Sequence, residues 1–235
     1  MDDRTYNPRD WSQHPPYLHE GYRSTAFRAP RKPLVPLPET LSELTGPVFG
    51  HEAVAPLDGD LTRNGAVNGA PLGERIVVAG RVLDESGRPV PDTLIEIWQA
   101  NASGRYIHRA DRHAAPLDPN FFGAGRCVTD GEGRYRFVTI KPGAYPWENH
   151  DRAFRPAHIH FSLFGRCFLT RLVTQMYFPG DPLMAIDPIL HGIPDPAARE
   201  RLVSTYSIDL TEHGKALGYA WDIVLRGPRA TPFEA

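Results

Sequence analysis

Between residues 74 and 225 the chain alternates short apolar runs with turn formers. ERIVVAGRVLD (74–84) is apolar and β-branched and stops at the turn ESGRPV. In TLIEIWQA (93–100), Leu94, Glu96 and Trp98 share one face and Thr93, Ile95, Ile97 and Gln99 the other. CVTDGEGRYRFVTI (127–140) predicts a hairpin turning at DGEG. AHIHFSLF (157–164), FLTRLVTQMYF (168–178), YSIDL (206–210) and YAWDIVL (219–225) complete the set of strands. One helix is predicted near 195–204, with Asp195 as N-cap and Pro196 at the first helical position. Six or seven strands with little helix predict an all-β fold, an antiparallel β-sandwich.

Before residue 74 no period survives. Residues 1–40 interleave aromatics with prolines and predict an extended arm, packed on its own domain or on another subunit. Residues 41–73 predict loops, and LPETLSEL one helical turn with Thr40 as cap and Glu43 completing the capping box. The expectation is a single domain over 1–235: arm and loops over 1–73, and a sandwich core over 74–229.

Composition adds three points. A hydrophobic fraction of 41% suffices for a core, and 24 prolines and 21 glycines fit many turns. The net charge of −2 points to neither nucleic acid nor a membrane surface. The opening MDDRTYNPRDW does not look like a secretory signal, and Cys127 and Cys167 stand in no metal or redox spacing, so the expected location is cytoplasmic with reduced thiols.

The candidate chemistry centres on KPGAYPWENHDRAFRPAHIHF (141–161). His158 and His160 are two apart on a strand, so both imidazoles point the same way. Such a pair is either satisfied by ordinary hydrogen bonds or is half of a metal site. Tyr145 lies in a Pro-Gly-x-Tyr-Pro-Trp turn, and Tyr106 follows Gly-Arg beyond the LIEIWQA strand. Each alone reads as a turn or rim aromatic. Together with two histidines they favour a hard, highly charged ion such as Fe(III). Zinc prefers His, Cys and carboxylate, and Fe(II) oxygenases prefer two His and a carboxylate. A trivalent ion also supplies the charge that ionises a phenol of reference pKa ~10.

These residues, with PDTLIEIWQANASGRY, DPNFFGAGRCVTD, TIKPGAYPW, RPAHIHFSLFG, LVTQMYFPGDPL and WDIVLRG, resemble the intradiol ring-cleavage dioxygenases. Within that family they are similar to the β-subunit branch, as is the arm with its Tyr-Arg-Ser-Thr and Arg-Ala-Pro. The resemblance implies that Tyr106, Tyr145, His158 and His160 hold a non-haem Fe(III), with solvent hydroxide in the fifth position. Tyr145 and His158 would be axial, Tyr145 leaving on substrate binding, and Tyr106 and His160 equatorial. It implies that Arg155 and Gln175 serve catalysis beside the iron, and that Tyr22, Trp147 and Ile189 bind substrate. The implied reaction is O₂-dependent conversion of protocatechuate to 3-carboxy-cis,cis-muconate in aromatic catabolism, the β-ketoadipate pathway. The implied partner is a homologous α subunit in an αβ hetero-oligomer, without nucleic acid or membrane.

Two rival readings stay open on the residues alone. The substrate could be catechol, hydroxyquinol or a substituted catechol on the same site. Alternatively the sandwich could be a non-catalytic carrier or adhesion module whose four ligands coincide. His108 and the tail after Leu225 match no ligand position. Asp130 and Glu132 in DGEG are too few for a calcium loop and read as a turn.

Overall fold

Two four- to five-strand sheets are built from the alternating runs, and their inner faces make the core. The computed structural model describes residues 11–16, 18, 21, 54–148, 153–165 and 172–233. The first sheet holds β1 (Arg75–Leu83), β4 (Arg134–Ile140), β9 (Thr205–Tyr206), β10 (Leu217–Ala220) and β11 (Ile223–Val224). The second runs β3 (Ala124–Val128), β2 (Leu94–Trp98), β7 (His158–Phe164), β8 (Leu172–Tyr177), antiparallel throughout. A separate ribbon pairs β5 (Tyr145–Pro146) with β6 (Phe154–Arg155).

Strand alternation decides what faces the core. Ile159, Phe161 and Leu163 of β7 join Ile95 and Ile97 of β2 and share the core with Val78, Tyr135 and Phe137 of the other sheet and with Trp221, which follows β10. Phe161 is the pivot, edge-on to Phe137 at 5.8 Å and to Trp221 at 4.8 Å between ring centroids. Each such buried side chain contributes about 1.5–3 kcal/mol. The intervening residues of β7, His158, His160 and Ser162, take the opposite face and are buried there as well. That second face carries the chemistry.

Three expectations need correction. The 127–140 stretch is no hairpin: β3 pairs with β2 and β4 with β1, so DGEG crosses between the sheets. The turn itself forms as read, with the Asp130 carboxylate accepting from the Glu132 and Arg134 amides, but local turn chemistry does not choose the sheet its strands join. YSIDL is strand only at its start, in β9. YAWDIVL splits into β10 and β11 at Trp221, and both run parallel to β1. At the split Gly80 has no side chain, and a Cβ there would overlap the Trp221 carbonyl. A parallel return needs a long crossover, which the intervening chain supplies.

Asp-Pro steps cap three short helical segments: Asp181 before Pro182–Ile186, Asp187 before α1 (Pro188–His191) and Asp195 before α2 (Pro196–Glu200). α2 begins where expected and stops earlier. The described part of the arm packs on its own chain: Gln13 Oε1 accepts from Arg201 Nη2 at 2.6 Å, and His14 Nδ1 accepts from the Phe233 amide at 3.2 Å. Thr40 and Glu43 lie outside the described residues, as does Cys167. Cys127 is free and buried. Among the described residues no helix is long and apolar enough to cross a membrane.

Candidate active site

Four side chains converge beside the buried start of β7. His158 and His160 arrive on one strand face, as their spacing requires. The chain beyond β2 turns on Asn101, whose Oδ1 accepts from the amides of Ser103 and Arg105. Gly104 (φ 79) lets that turn press against Ala144, where a Cβ would overlap the backbone carbonyl. The same turn delivers Tyr106, whose amide donates to Asp111 Oδ2 at 2.8 Å. Tyr145 comes from β5.

The donor atoms form a chain of close contacts. Tyr145 Oη lies 3.3 Å from His158 Nε2, which is 3.2 Å from His160 Nε2, which is 3.1 Å from Tyr106 Oη. His158 Nδ1 donates to the Pro156 carbonyl at 2.7 Å, so the Nε2 lone pair faces the cluster. Burial, reinforced by Arg155 and His160, holds the His158 imidazole well below its ordinary pKa, against the pull of the Pro156 bond. A neutral His158 suits a metal ligand. Trp98 stacks on His160 with centroids 4.9 Å apart and planes 4° apart, fixing that ring from the other side.

This donor set fits a metal ion. Ligands at about 2.1 Å on neighbouring positions of a roughly right-angled shell sit about 3 Å from one another. The three contacts above have that spacing; Tyr145 Oη and His158 Nε2, at 3.3 Å, are neighbours rather than opposite one another, which corrects the expectation that these two are the axial pair. His158 Nε2, which carries no proton, has one lone pair and so accepts from only one of its two neighbours, Tyr145 Oη or His160 Nε2. Among the described residues no three His, Cys, Asp or Glu side chains cluster for a metal, so the oxygen donors here are phenolic.

Beside the cluster lies a buried polar group on Arg155. Its guanidinium pairs with Asp187, Nε to Oδ1 at 3.0 Å, with both side chains almost fully buried. Arg155 Nη2 donates to Gln175 Oε1 at 2.5 Å and to Tyr177 Oη at 2.9 Å. Trp147 places its ring 5.8 Å from the guanidinium carbon. Burial pushes the Tyr177 phenol up, so it keeps its proton.

Comparison with known proteins places the chain in a family. A family model described as "Dioxygenase" matches residues 44–227, and one described as "Protocatechuate 3,4-dioxygenase beta subunit N terminal" matches residues 7–40. The protocatechuate 3,4-dioxygenase beta chain of Burkholderia cepacia is 65% identical over 235 residues, covering 100% of both chains. The chain belongs to the intradiol dioxygenase family. Within this family, the protocatechuate 3,4-dioxygenase alpha chain of Pseudomonas putida is 32% identical over 86% of this chain and 98% of its own. In fold, 3-chlorocatechol 1,2-dioxygenase from Rhodococcus opacus 1CP superposes with a TM-score of 0.55 at 22% identity, over 73% of this chain and 66% of that one.

Of the residues expected for an intradiol dioxygenase site, Tyr106, Tyr145, His158 and His160 are brought together. Arg155, Gln175 and Trp147 form the adjoining group. Ile189 is buried on α1 and is joined to Arg155 through Asp187, whose Oδ1 accepts from the Ile189 amide at 3.2 Å. Tyr22 lies outside the described residues. The expectation that Tyr145 occupies a free turn is modified: it stands in the β5–β6 ribbon, opposite Arg155. Sequence reasoning missed Tyr177, Asp187 and Trp98. Tyr177 was findable, two residues beyond Gln175 on the same strand face; Asp187 shows in sequence only as a helix cap, and Trp98 only as an alternating strand residue.

Proposed function

We propose that this chain is the β subunit of an enzyme that opens protocatechuate between its two hydroxyl-bearing carbons. Both atoms of O₂ are added, giving 3-carboxy-cis,cis-muconate in aromatic catabolism. The observation that carries the reading is the convergence of Tyr106 Oη, Tyr145 Oη, His158 Nε2 and His160 Nε2. These four would hold a non-haem Fe(III). When bound, that ion supplies a Lewis acid that draws electron density from the diol and brings it into reaction with O₂.

The remaining roles belong to the chain's own groups. A diol bound as its dianion releases two protons: a phenolate at Tyr145 Oη accepts one and a solvent hydroxide the other. His158 and His160 stay fixed, one by the Pro156 carbonyl and the other by Trp98. Arg155 offers a permanent positive charge where negative charge builds on the ring and on oxygen, and burial strengthens its effect. Gln175 stands beside it, while Trp147 and Ile189 bound the ring pocket and Tyr22 meets the ring carboxylate.

The chain acts as one functional domain, with residues 1–73 as arm and loops and 74–229 as the core holding the site. The partner is a homologous α subunit, in keeping with the name of the Pseudomonas putida relative, and the location is cytoplasmic. Oxygen uptake by the co-purified two-chain enzyme tests the substrate. Protocatechuate is expected to be used in preference to catechol and hydroxyquinol. Equal or better use of either would overturn the substrate assignment and leave the iron site standing.

A further inference from the structure

Asp187 holds two structures in place at once. Its Oδ1 caps α1 at the Ile189 amide and contacts Arg155 Nε, while its Oδ2 accepts from Tyr177 Oη at 2.9 Å and Arg155 Nη2 at 3.3 Å. Asp187, Tyr177, Arg155 and Gln175 are all almost completely shielded from solvent. Such a closed group has few alternative arrangements, because each displaced donor or acceptor would be buried without a partner.

The arrangement fixes which end of the Gln175 amide faces which way. Tyr177 has one proton, and its hydroxyl lies 2.9 Å from an Asp187 carboxylate oxygen and 3.0 Å from Gln175 Oε1. The carboxylate is the stronger acceptor and takes it. Gln175 Oε1 is then claimed by Arg155 Nη2. Turning the amide over would set its NH₂ against the guanidinium N–H groups. Gln175 Nε2 must therefore point away from Arg155, and there it is buried with no hydrogen-bond partner. A buried donor left without an acceptor is uncommon and calls for a reason. Gln175 is the register partner of His160, so this donor belongs to the same sheet face as the cluster.

We infer that Asp187 and Tyr177 are positioning residues: they lock Arg155 and, through it, orient the Gln175 amide so that its N–H is offered to an oxygen atom of the ligand at the four-donor cluster. The inference rests on the reading of that cluster as a catalytic iron site. It assigns Asp187 a role in the reaction beyond capping α1, and it gives Tyr177 a role without direct contact with substrate.

The test uses the co-purified two-chain enzyme with Asp187→Asn, Tyr177→Phe and Gln175→Ala, singly and in pairs. Asparagine keeps an acceptor for the helix cap while removing the charge that holds Arg155. Phenylalanine keeps the ring and removes the hydroxyl, so one variant remains informative if the other folds poorly. Iron content and visible band are expected to stay within about twofold of wild type, while kcat with O₂ falls about tenfold or more. Adding Asp187→Asn to Gln175→Ala is expected to cost much less than the product of the single effects, because both act through one amide. The inference is overturned if both Asp187→Asn and Tyr177→Phe turn over within about twofold of wild type, or if their effects multiply with Gln175→Ala. A wild-type enzyme without iron or oxygen uptake would instead sink the underlying functional reading.

Discussion

Tyr145 and Arg155 are direct partners across the β5–β6 ribbon. The ribbon lies outside both sheets, whereas His158 and His160 are built into the second sheet. One phenol of the cluster and the neighbouring cation therefore share a small element of their own. A movement of Tyr145 would act on the same ribbon that carries Arg155.

Replacing Tyr145 by Phe should separate metal binding from turnover. Tyr106 and both histidines remain, so iron and most of the visible colour are expected to persist. Turnover is expected to fall about 100-fold or more, the range typical of losing a proton acceptor. Absorption spectra and oxygen uptake on the same sample check this; unchanged turnover would remove Tyr145 from the chemistry.

Trp98 contributes through its stack on His160. Trp98→Ala frees that ring, and iron affinity is expected to drop about 10- to 100-fold, as when other supports of metal ligands are lost. Competition against a chelator measures it. Retention equal to wild type would show that strand register alone orients His160.

Alkaline pH should destabilise the fold through its buried acids. Burial raises Cys127 from 9.0 to about 12, and raises Tyr135 and Tyr177 well above the usual tyrosine value. Each folded-state pKa exceeds its unfolded value, so the folded chain holds protons that the unfolded chain has released. Stability is complete below pH 9.0 and declines as pH rises from there toward about 12 for Cys127. One such group contributes a slope of at most about 1.4 kcal/mol per pH unit. Denaturant titrations of wild type and Cys127→Ala at several alkaline pH values should show the shallower decline in the variant.

Two glycines give contrasting outcomes. Gly80→Ala forces a Cβ into the Trp221 carbonyl and must part β1 from the β10–β11 edge. A loss of about 3 kcal/mol is expected, at the upper end for overpacking. Gly131→Ala meets nothing within 4 Å and should stay within about 0.5 kcal/mol of wild type. Chemical denaturation of both variants checks the split at Trp221.

What could be read without coordinates was local. The 74–84 and 93–100 runs became β1 and β2 because alternation is a property of neighbouring residues. The shared face of His158 and His160 follows from the same rule. Pairing is not local, so the 127–140 run looked like a hairpin although its halves join different sheets. The parallel return of β10 and β11 was hidden for the same reason. Asp187 was not singled out, since its link to Arg155 spans 32 residues and depends on the ribbon that lifts Arg155 out of the sheet. The two tyrosines could be named as ligands only with the help of family resemblance, because nothing in spacing brings Tyr106 to Tyr145.

The most direct test is the iron content and visible spectrum of the purified two-chain enzyme before and after anaerobic addition of protocatechuate. The account predicts iron bound at this chain, a phenolate-to-iron absorption band, and a change in that band when the diol binds, with the band surviving in Tyr145→Phe. A colourless protein that takes up no iron on reconstitution would contradict it.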